Sequence, residues 1–389
     1  MKLLSKIAVM LILSAVGYAQ TYTYRMAIAA GGATGVFLPY GPLTIVGSKG
    51  FGSGENQGSL YQAQLSGEKV ESDCCVSLGP ILVDISGNLY GEDIRVGNGG
   101  KYPYGRVWGV RPGAKWVERD LYHFTGADGW IGAQNAGLIL DATGNMWGTT
   151  VQGGNNSCAS GFFGCGVVFE LTNNAGTWSE QVIHAFSGSP DGANPEGGVT
   201  FDPLSGTYYG TTAFGGDSAC NCGTVFQLTA NGDGTWSENI IYTFGASGTT
   251  GPVAGITIDS QGNLYGTTYG DYDRIRGMAW EISGGQFSVI AQLPGVSTSA
   301  LTFDTYGNLW GTTQTGGTYN LGTVFYLTLT DNGWQETVLH NFAGNNVQPA
   351  DGESPAGGLS MDEQGNLWGT TSRGGFRGVG TFYEVQVSK

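Results

Sequence analysis

The chain of 389 residues carries 70 glycines, 12% aromatic residues and a formal charge of −15. Glycine without a three-residue period excludes a collagen-like rod, and this aromatic content excludes a disordered chain. The acidity argues against nucleic acid and anionic membranes as general partners.

At the N-terminus, Lys2 and Lys6 precede an apolar run, Ile7–Val16, which is too short to span a bilayer. With the small residues of "GYAQ" following, Met1–Ala19 is expected to be a secretory signal peptide, and 20–389 a single mature domain. Its removal takes the charge from −15 to −17. There is no second apolar span, so no membrane insertion is expected. The expected location is secreted, periplasmic or cell-surface. The strand-like run "TYTYRMAIA", Thr21–Ala29, comes next and belongs to no repeat.

A phrase then recurs along the chain: "DATGNMWGTT", "DSQGNLYGTT", "DTYGNLWGTT" and "DEQGNLWGTT". An apolar segment ending in Asp precedes each copy. A Gly-rich loop leads on to "GVVFELT", "GTVFQLT" or "GTVFYLT", and a turn leads to "WSEQVIHAF", "WSENIIYTF" or "WQETVLHNF". Each run is four to eight residues, rich in β-branched and aromatic side chains and bounded by Gly, Asn and Asp. Four such strands repeating every 45 to 62 residues predict an all-β propeller of four-stranded antiparallel blades. Second strands are placed near Leu43, Leu89, Met146, Tyr208, Leu264, Leu309 and Leu367, and third strands near Leu60, Val107, Val168, Val225, Ala279, Val324 and Phe382. Both series give seven blades. The seventh lacks an outer strand, so Thr21–Ala29 is expected to pair beside Gly380–Val387 and close the ring.

In this frame "D-x-x-G-N" is the hairpin between first and second strands. Asp84, Asp141, Asp259, Asp304 and Asp362 are read as turn caps, with Asp202 a variant carrying one extra residue. His184 and His340 fall at one outer-strand position that Tyr122 and Tyr242 also occupy, which reads as packing with a polar tip. Glu118, Glu180, Glu238 and Glu336 likewise share one position. His123 falls one place later and is weak evidence for any role. No catalytic residue or metal ligand is assigned: GxSxG, HExxH, P-loop and dinucleotide fingerprints are absent. No cofactor is expected. Calcium is the one ion the oxygen-rich loops suit, although "NGDG", Asn231–Gly234, lacks the later Glu of an EF-hand.

All six Cys lie in the mature chain. Cys158, Cys165, Cys220 and Cys222 are the disulfide candidates, favoured over a zinc site on compartment grounds; Cys74 and Cys75 are adjacent.

The phrase "GNLYGTT…GG…GTVFxL…W.E.VLHxF.G..DGxxP..GL..D", with "DGANP" at Asp191–Pro195 and "DGESP" at Asp351–Pro355, resembles the bacterial GloVer-type tandem-repeat family. That resemblance covers most of the chain from about Leu78 onward. It implies an exported repeat protein, often tethered by a C-terminal anchor, with no agreed activity or catalytic residues. The ending "FYEVQVSK" carries no such anchor, and a soluble monomer is expected.

Cationic residues are the unrepeated feature. Lys49, Arg95, Lys101, Arg274, Arg276, Arg373 and Arg377 are placed in loops between second and third strands, near Tyr102, Tyr104, Tyr272 and Phe376. Such a patch would hold an anionic saccharide or an acidic envelope partner. The expected function is a non-catalytic binding or surface-scaffold module. The alternative is an extracellular polysaccharide lyase or hydrolase with its site on that loop face, the odd loop "YGDYDRIRG" with Asp271, Asp273, Arg274 and Tyr272 being its nearest candidate. A ring mouth containing His, Tyr and Arg from different blades would favour the enzyme, and one lined by Gly, Thr and Asn would favour binding.

Overall fold

The computed structural model describes residues 21–29, 39–54, 59–65, 70–73, 79–93, 102–111, 116–133, 135, 137–154, 158, 163–245, 251–270, 276–347, 350–355, 357–375 and 378–388. Seven antiparallel blades follow one another along the chain. Blade one is Pro39–Val46, Lys49–Gly54, Ser59–Gln64 and Val70–Asp73; blade two is Leu82–Val83, Leu89–Glu92, Arg106–Arg111 and Val117–His123. Blade three is Ile139–Leu140, Met146–Gln152, Val167–Asn174 and Thr177–Ala185, with Trp130–Gly132 also paired to its second strand. Blade four is Val199–Asp202, Thr207–Thr212, Thr224–Ala230 and Trp236–Thr243; blade five is Thr257–Ile258, Leu264–Thr267, Met278–Ser283 and Gln286–Gln292. Blade six is Thr302–Phe303, Leu309–Thr313, Thr323–Thr330 and Gly333–Asn341; blade seven is Ser360–Met361, Leu367–Gly374 and Thr381–Ser388.

Thr21–Ala29 completes blade seven. It runs antiparallel to the last strand from Thr21 opposite Ser388 to Ala29 opposite Thr381. The expected closure is therefore what the structure shows. Its tyrosines anchor it in blade six: the Tyr24 hydroxyl donates to Asp351 at 2.9 Å and its ring stacks on His340 at 3.5 Å. The Tyr22 hydroxyl donates to Asp304 at 3.1 Å and accepts from Asn308 at 2.7 Å.

One expectation is corrected. Leu43 lies on the first strand of blade one, and the second strand is Lys49–Gly54. The hairpin between them, Gly47–Ser48, has no Asp, so the signature that locates this turn elsewhere is missing there.

The other first hairpins are capped as expected. Asp84 accepts from the amides of Ser86 and Asn88 at 2.8 and 2.9 Å, and Asp141, Asp259, Asp304 and Asp362 do the same in their blades. Asp202 caps the longer turn through Leu204 and Ser205. Gly87, with φ +77°, takes the left-handed conformation that a β-carbon would penalise. In four blades the aromatic residue shortly after "GN" ties back to the same carboxylate: Tyr90 and Tyr265 donate at 3.0 and 3.1 Å, and the Trp310 and Trp368 indoles at 2.9 and 2.8 Å.

The core is divided among the seams. The described residues form seven buried apolar clusters, one at each contact between successive blades. Val225 and Phe244 of blade four, for example, meet Leu264, Trp280 and Ile282 of blade five. Each sheet thus buries apolar side chains on both faces, worth roughly 25 cal/mol per Å2 removed from water.

The repeated "GTT" has a separate reason for each letter. Its Gly sits opposite the aromatic residue of the third strand in every blade, as Gly311 does opposite Phe325 and Gly266 opposite Trp280. A β-carbon on Gly311 would sit 2.5 Å from the Phe325 ring. The first Thr donates across the seam to a backbone carbonyl of the next blade. Thr149 reaches Pro195, Thr211 reaches Ala254, Thr267 reaches Ser299, Thr312 reaches Gly357 and Thr370 reaches Gly41, at 2.8–2.9 Å. Ser53 does the same to Gly79 at 2.9 Å. The second Thr bonds within its blade, Thr212 to Thr224, Thr313 to Thr323 and Thr371 to Thr381.

Replacing Thr370 with Val keeps the shape but leaves the Gly41 carbonyl buried without its donor. The expected cost is about 1–3 kcal/mol, read as a lower urea midpoint, whereas Thr370→Ser should retain most of the stability.

Candidate functional site

The inner strands enclose a cavity of about 190 Å3 lined by Gly41, Pro42, Asn135, Thr298, Ser299, Ala300, Thr302, Gly357, Gly358, Leu359 and Ser360. These residues come from blades one, three, six and seven, which places the cavity on the ring axis. Asn135 spans toward blade five, donating to the Val253 carbonyl at 2.9 Å. Neighbouring inner strands are stitched by hydroxyls, with Thr200 on Ile256 at 2.7 Å and Thr302 on Leu359 at 2.6 Å. The wall is backbone, small hydroxyls, one amide and the apolar Pro42, Ala300 and Leu359, and Asn135 also donates to the Glu196 carboxylate at 3.4 Å.

The residues singled out in sequence fall in several places. Lys49 opens the second strand of blade one, across the first hairpin from Val46, so it does not lie in a loop between second and third strands. Arg95, Lys101, Tyr272, Arg274 and Arg377 lie outside the described residues, as do Asp271, Asp273 and Phe376. Arg276 precedes the third strand of blade five and Arg373 ends the second strand of blade seven; both are exposed. Blades five and seven are not neighbours, so Arg276 and Arg373 stand apart on the ring.

Tyr102 is buried, and its hydroxyl donates to Asp120 at 2.7 Å. The Arg106 guanidinium lies 4.4 Å from the centre of the Tyr102 ring. Arg106 also pairs with Asp93 at 3.0 Å and with Glu118 and Asp120. It is held by three carboxylates inside the blade. His123 stands 3.3 Å from Asp120 at its edge.

The disulfide candidates pair locally: Cys158 with Cys165 and Cys220 with Cys222, with Cα separations of 5.5 and 5.2 Å. Both bridges lie between second and third strands, in blades three and four. Cys74 and Cys75 lie outside the described residues.

The outer-strand positions are lattice positions. Tyr122, His184, Tyr242 and His340 face Val107, Val168, Val225 and Val324 in register. The Asp partner was not foreseen: Tyr122 donates to Asp128 at 2.6 Å, and His340 stands 2.8 Å from Asp351. The signal was present in the "DG" dipeptide that follows the outer strands of blades two, three and six, at Asp128, Asp191 and Asp351. Across each seam these residues meet the shared Glu position of the next blade or its substitute. Tyr242 stacks on Phe287 at 3.8 Å, and His340 stacks on Tyr24.

A cationic feature does emerge, in a place not anticipated. A cleft of about 250 Å3 opens between blades two and three, lined by Asn88, Tyr90, Arg111, Arg119, Asp120, Asn173 and Trp178 among others. Arg111 ends the third strand of blade two, and exposed Arg119 stands on its outer strand, opposite Gly109. Gly109 matters because a β-carbon there would press on the Tyr90 ring at 3.1 Å. Asn88 accepts from Arg111 at 3.5 Å, and the Tyr90 hydroxyl donates to Asp84 at 3.0 Å. Burial pushes the Tyr90 hydroxyl up to about 12, so it stays a donor. Asp120 lines the cleft as an ionised carboxylate and shares the single Arg106 cation with Asp93 and Glu118, so the two arginines bring positive charge beside a remaining negative one. The same positions in other blades hold uncharged residues, Thr172 and Gln181 in blade three and Thr229 and Asn239 in blade four.

The same seam carries a second departure. Glu92 stands where other blades have the first Thr of "GTT". It accepts from the Ala133 amide, and its carboxyl sits against Gly132 and Gly148 of blade three. Burial pushes it up to about 8. The folded state therefore holds the proton more tightly than the unfolded chain. Stability from this group is greatest below about pH 4.5 and falls as pH rises toward 8, by up to about 1.4 kcal/mol per unit. Melting curves between about pH 5 and 9 should show a downward slope in the wild type, to which Asp93, Glu180 and Glu196, pushed up to about 7 by burial, also contribute; Glu92→Gln should make it shallower by up to one proton and melt higher at the alkaline end.

The profile of the Gloeobacter/Verrucomicrobia repeat matches residues 41–280. The chain belongs to that family. No curated protein matches the sequence. Solved structures share the fold at low identity. A protein of unknown function from Bacteroides thetaiotaomicron is 14% identical over 95% of this chain and 77% of its own, with a TM-score of 0.51. A polysaccharide lyase, an ulvan lyase, is 12% identical over 82% of this chain and 87% of its own, also at 0.51. A gluconolactonase from Xanthomonas campestris is 14% identical over 74% and 85%, with a TM-score of 0.46.

Proposed function

We propose that the protein is an exported, non-catalytic binding module whose cleft between blades two and three holds an acidic saccharide. The observation that carries this reading is the pairing of Arg111 and Arg119 with Trp178, Tyr90, Asn88 and Asn173 in one open cleft. Guanidinium groups bind carboxylate or sulfate by paired N–H donors, an indole face packs against the C–H face of a sugar ring, and amides read hydroxyls. In a chain with no Lys or Arg between Asp120 and Asp273, such a site is a local exception to an acidic surface. Export is supported by the N-terminal signal pattern and the paired cysteines. The non-catalytic reading is supported by the repeat itself, which places its recurring aspartates in turn caps and packs His340 against Tyr24.

The test is gel-retardation or calorimetric titration of the full chain against polyuronates, sulfated glycans and neutral dextran. Acidic glycans should bind and neutral dextran should not, with affinity falling as salt is raised. The Arg111→Ala, Arg119→Ala double variant should lose at least about 10-fold, roughly one charge-assisted hydrogen bond's worth. Unchanged binding by the double variant, or release of shortened glycan, would refute the proposal.

A further inference from the structure

The seam between blades three and four differs from its sisters in what meets across it. His184 and Asp191 of blade three face Glu238 on the outer strand of blade four, and one ligand atom from each lies within 4.8 Å of the others. His184 Nε2 stands 3.4 Å from each Asp191 carboxylate oxygen. Asp191 is fixed by the Ser187 amide and hydroxyl at 2.9 and 3.0 Å and by the Gly192 amide at 2.7 Å. Glu238 Oε1 is buried with no hydrogen-bond partner among the described residues. A buried carboxylate oxygen without a donor is costly unless a cation or proton satisfies it.

We infer that His184, Asp191 and Glu238 form a binding site for a first-row divalent metal ion, zinc above all, which bridges blades three and four. An imidazole with two carboxylates is the donor set such ions take. Bonds of about 2.0–2.2 Å in a tetrahedron set ligand atoms about 3.3 Å apart. His184 and Asp191 already have that spacing, so only Glu238 must swing inward. Side chains of His184 and Asp191 keep 21% and 18% of their exposure, which leaves an entry path and a fourth position for water.

Among the described residues this is the one such cluster, and three sister seams show why. At the seam of blades six and seven, Tyr24 fills the place of Glu238 and stacks on His340, putting a ring where a ligand oxygen would stand. Between blades two and three, Tyr122 replaces the histidine. Between blades four and five, two aromatic rings meet.

The experiment is calorimetric titration of zinc into the chelator-stripped full chain, with melting curves beside it. About one zinc per chain should bind and raise the melting temperature. His184→Tyr, which installs the residue that blades two and four use, should fold, melt near the wild type without metal, and lose zinc binding. Glu238→Gln should weaken it at least about 10-fold. His340→Tyr should bind zinc as the wild type does. No zinc uptake by the full chain, wild-type affinity in either His184→Tyr or Glu238→Gln, or loss of binding in His340→Tyr would overturn the inference.

Discussion

The ring depends on one contact: a hydroxyl on the second strand, threonine in five blades and serine in blade one, reaching over the seam to a carbonyl of the following blade. Apolar clusters between blades supply most of the attraction, but they are indifferent to register. The hydroxyl is not, because its acceptor is a single carbonyl whose burial makes a missed bond expensive. The neighbouring glycine lets the third-strand ring lie flat over the second strand, so this donor and the apolar cluster fit in the same layer. Glu92 is the exception that clarifies the rule. A buried carboxyl holding its proton near neutrality is, like threonine, a hydroxyl beside the next blade.

Much of this was legible in the sequence, and the reason is physical. Turn chemistry is local: the Asp cap and its left-handed Gly sit within four residues of each other, so the repeat announces its own hairpins. Strand count and ring closure follow from the same periodicity. Blade one was misaligned by one strand because its first hairpin uses Gly47 and Ser48 and has no Asp to mark it. The seam donors were visible as repeated letters, but their acceptors are backbone atoms of another blade, which no side-chain pattern records.

The candidate site was harder to read. Charges in loops attracted notice because loops commonly carry function. Arg111 and Arg119 stand in strands, where alternation hides which face they share, and their aromatic partner, Trp178, comes from the next blade. Tyr102 shows the opposite error: a tyrosine beside a basic loop is a buried hydroxyl serving Asp120. The outer seam explains both. It is a lattice of fixed positions filled differently each time, by His and Glu, by stacked aromatics, or by Tyr and Asp. Chemistry can enter at one seam without disturbing the next.

The strand that finishes blade seven sits more than 350 positions from its partner in the chain. On a polypeptide delivered from its N-terminus, these nine residues emerge before every other strand of the ring and find their place last. Until the final strand arrives, blade seven keeps an open edge, and Thr21–Ala29 has no strand to pair with, although the blade-six partners of Tyr22 and Tyr24 are already in place. Assembly then ends in one late, long-range docking step. An interruption near the end of synthesis would leave an arc of finished blades with two sticky ends, able to join a second copy as readily as its own beginning.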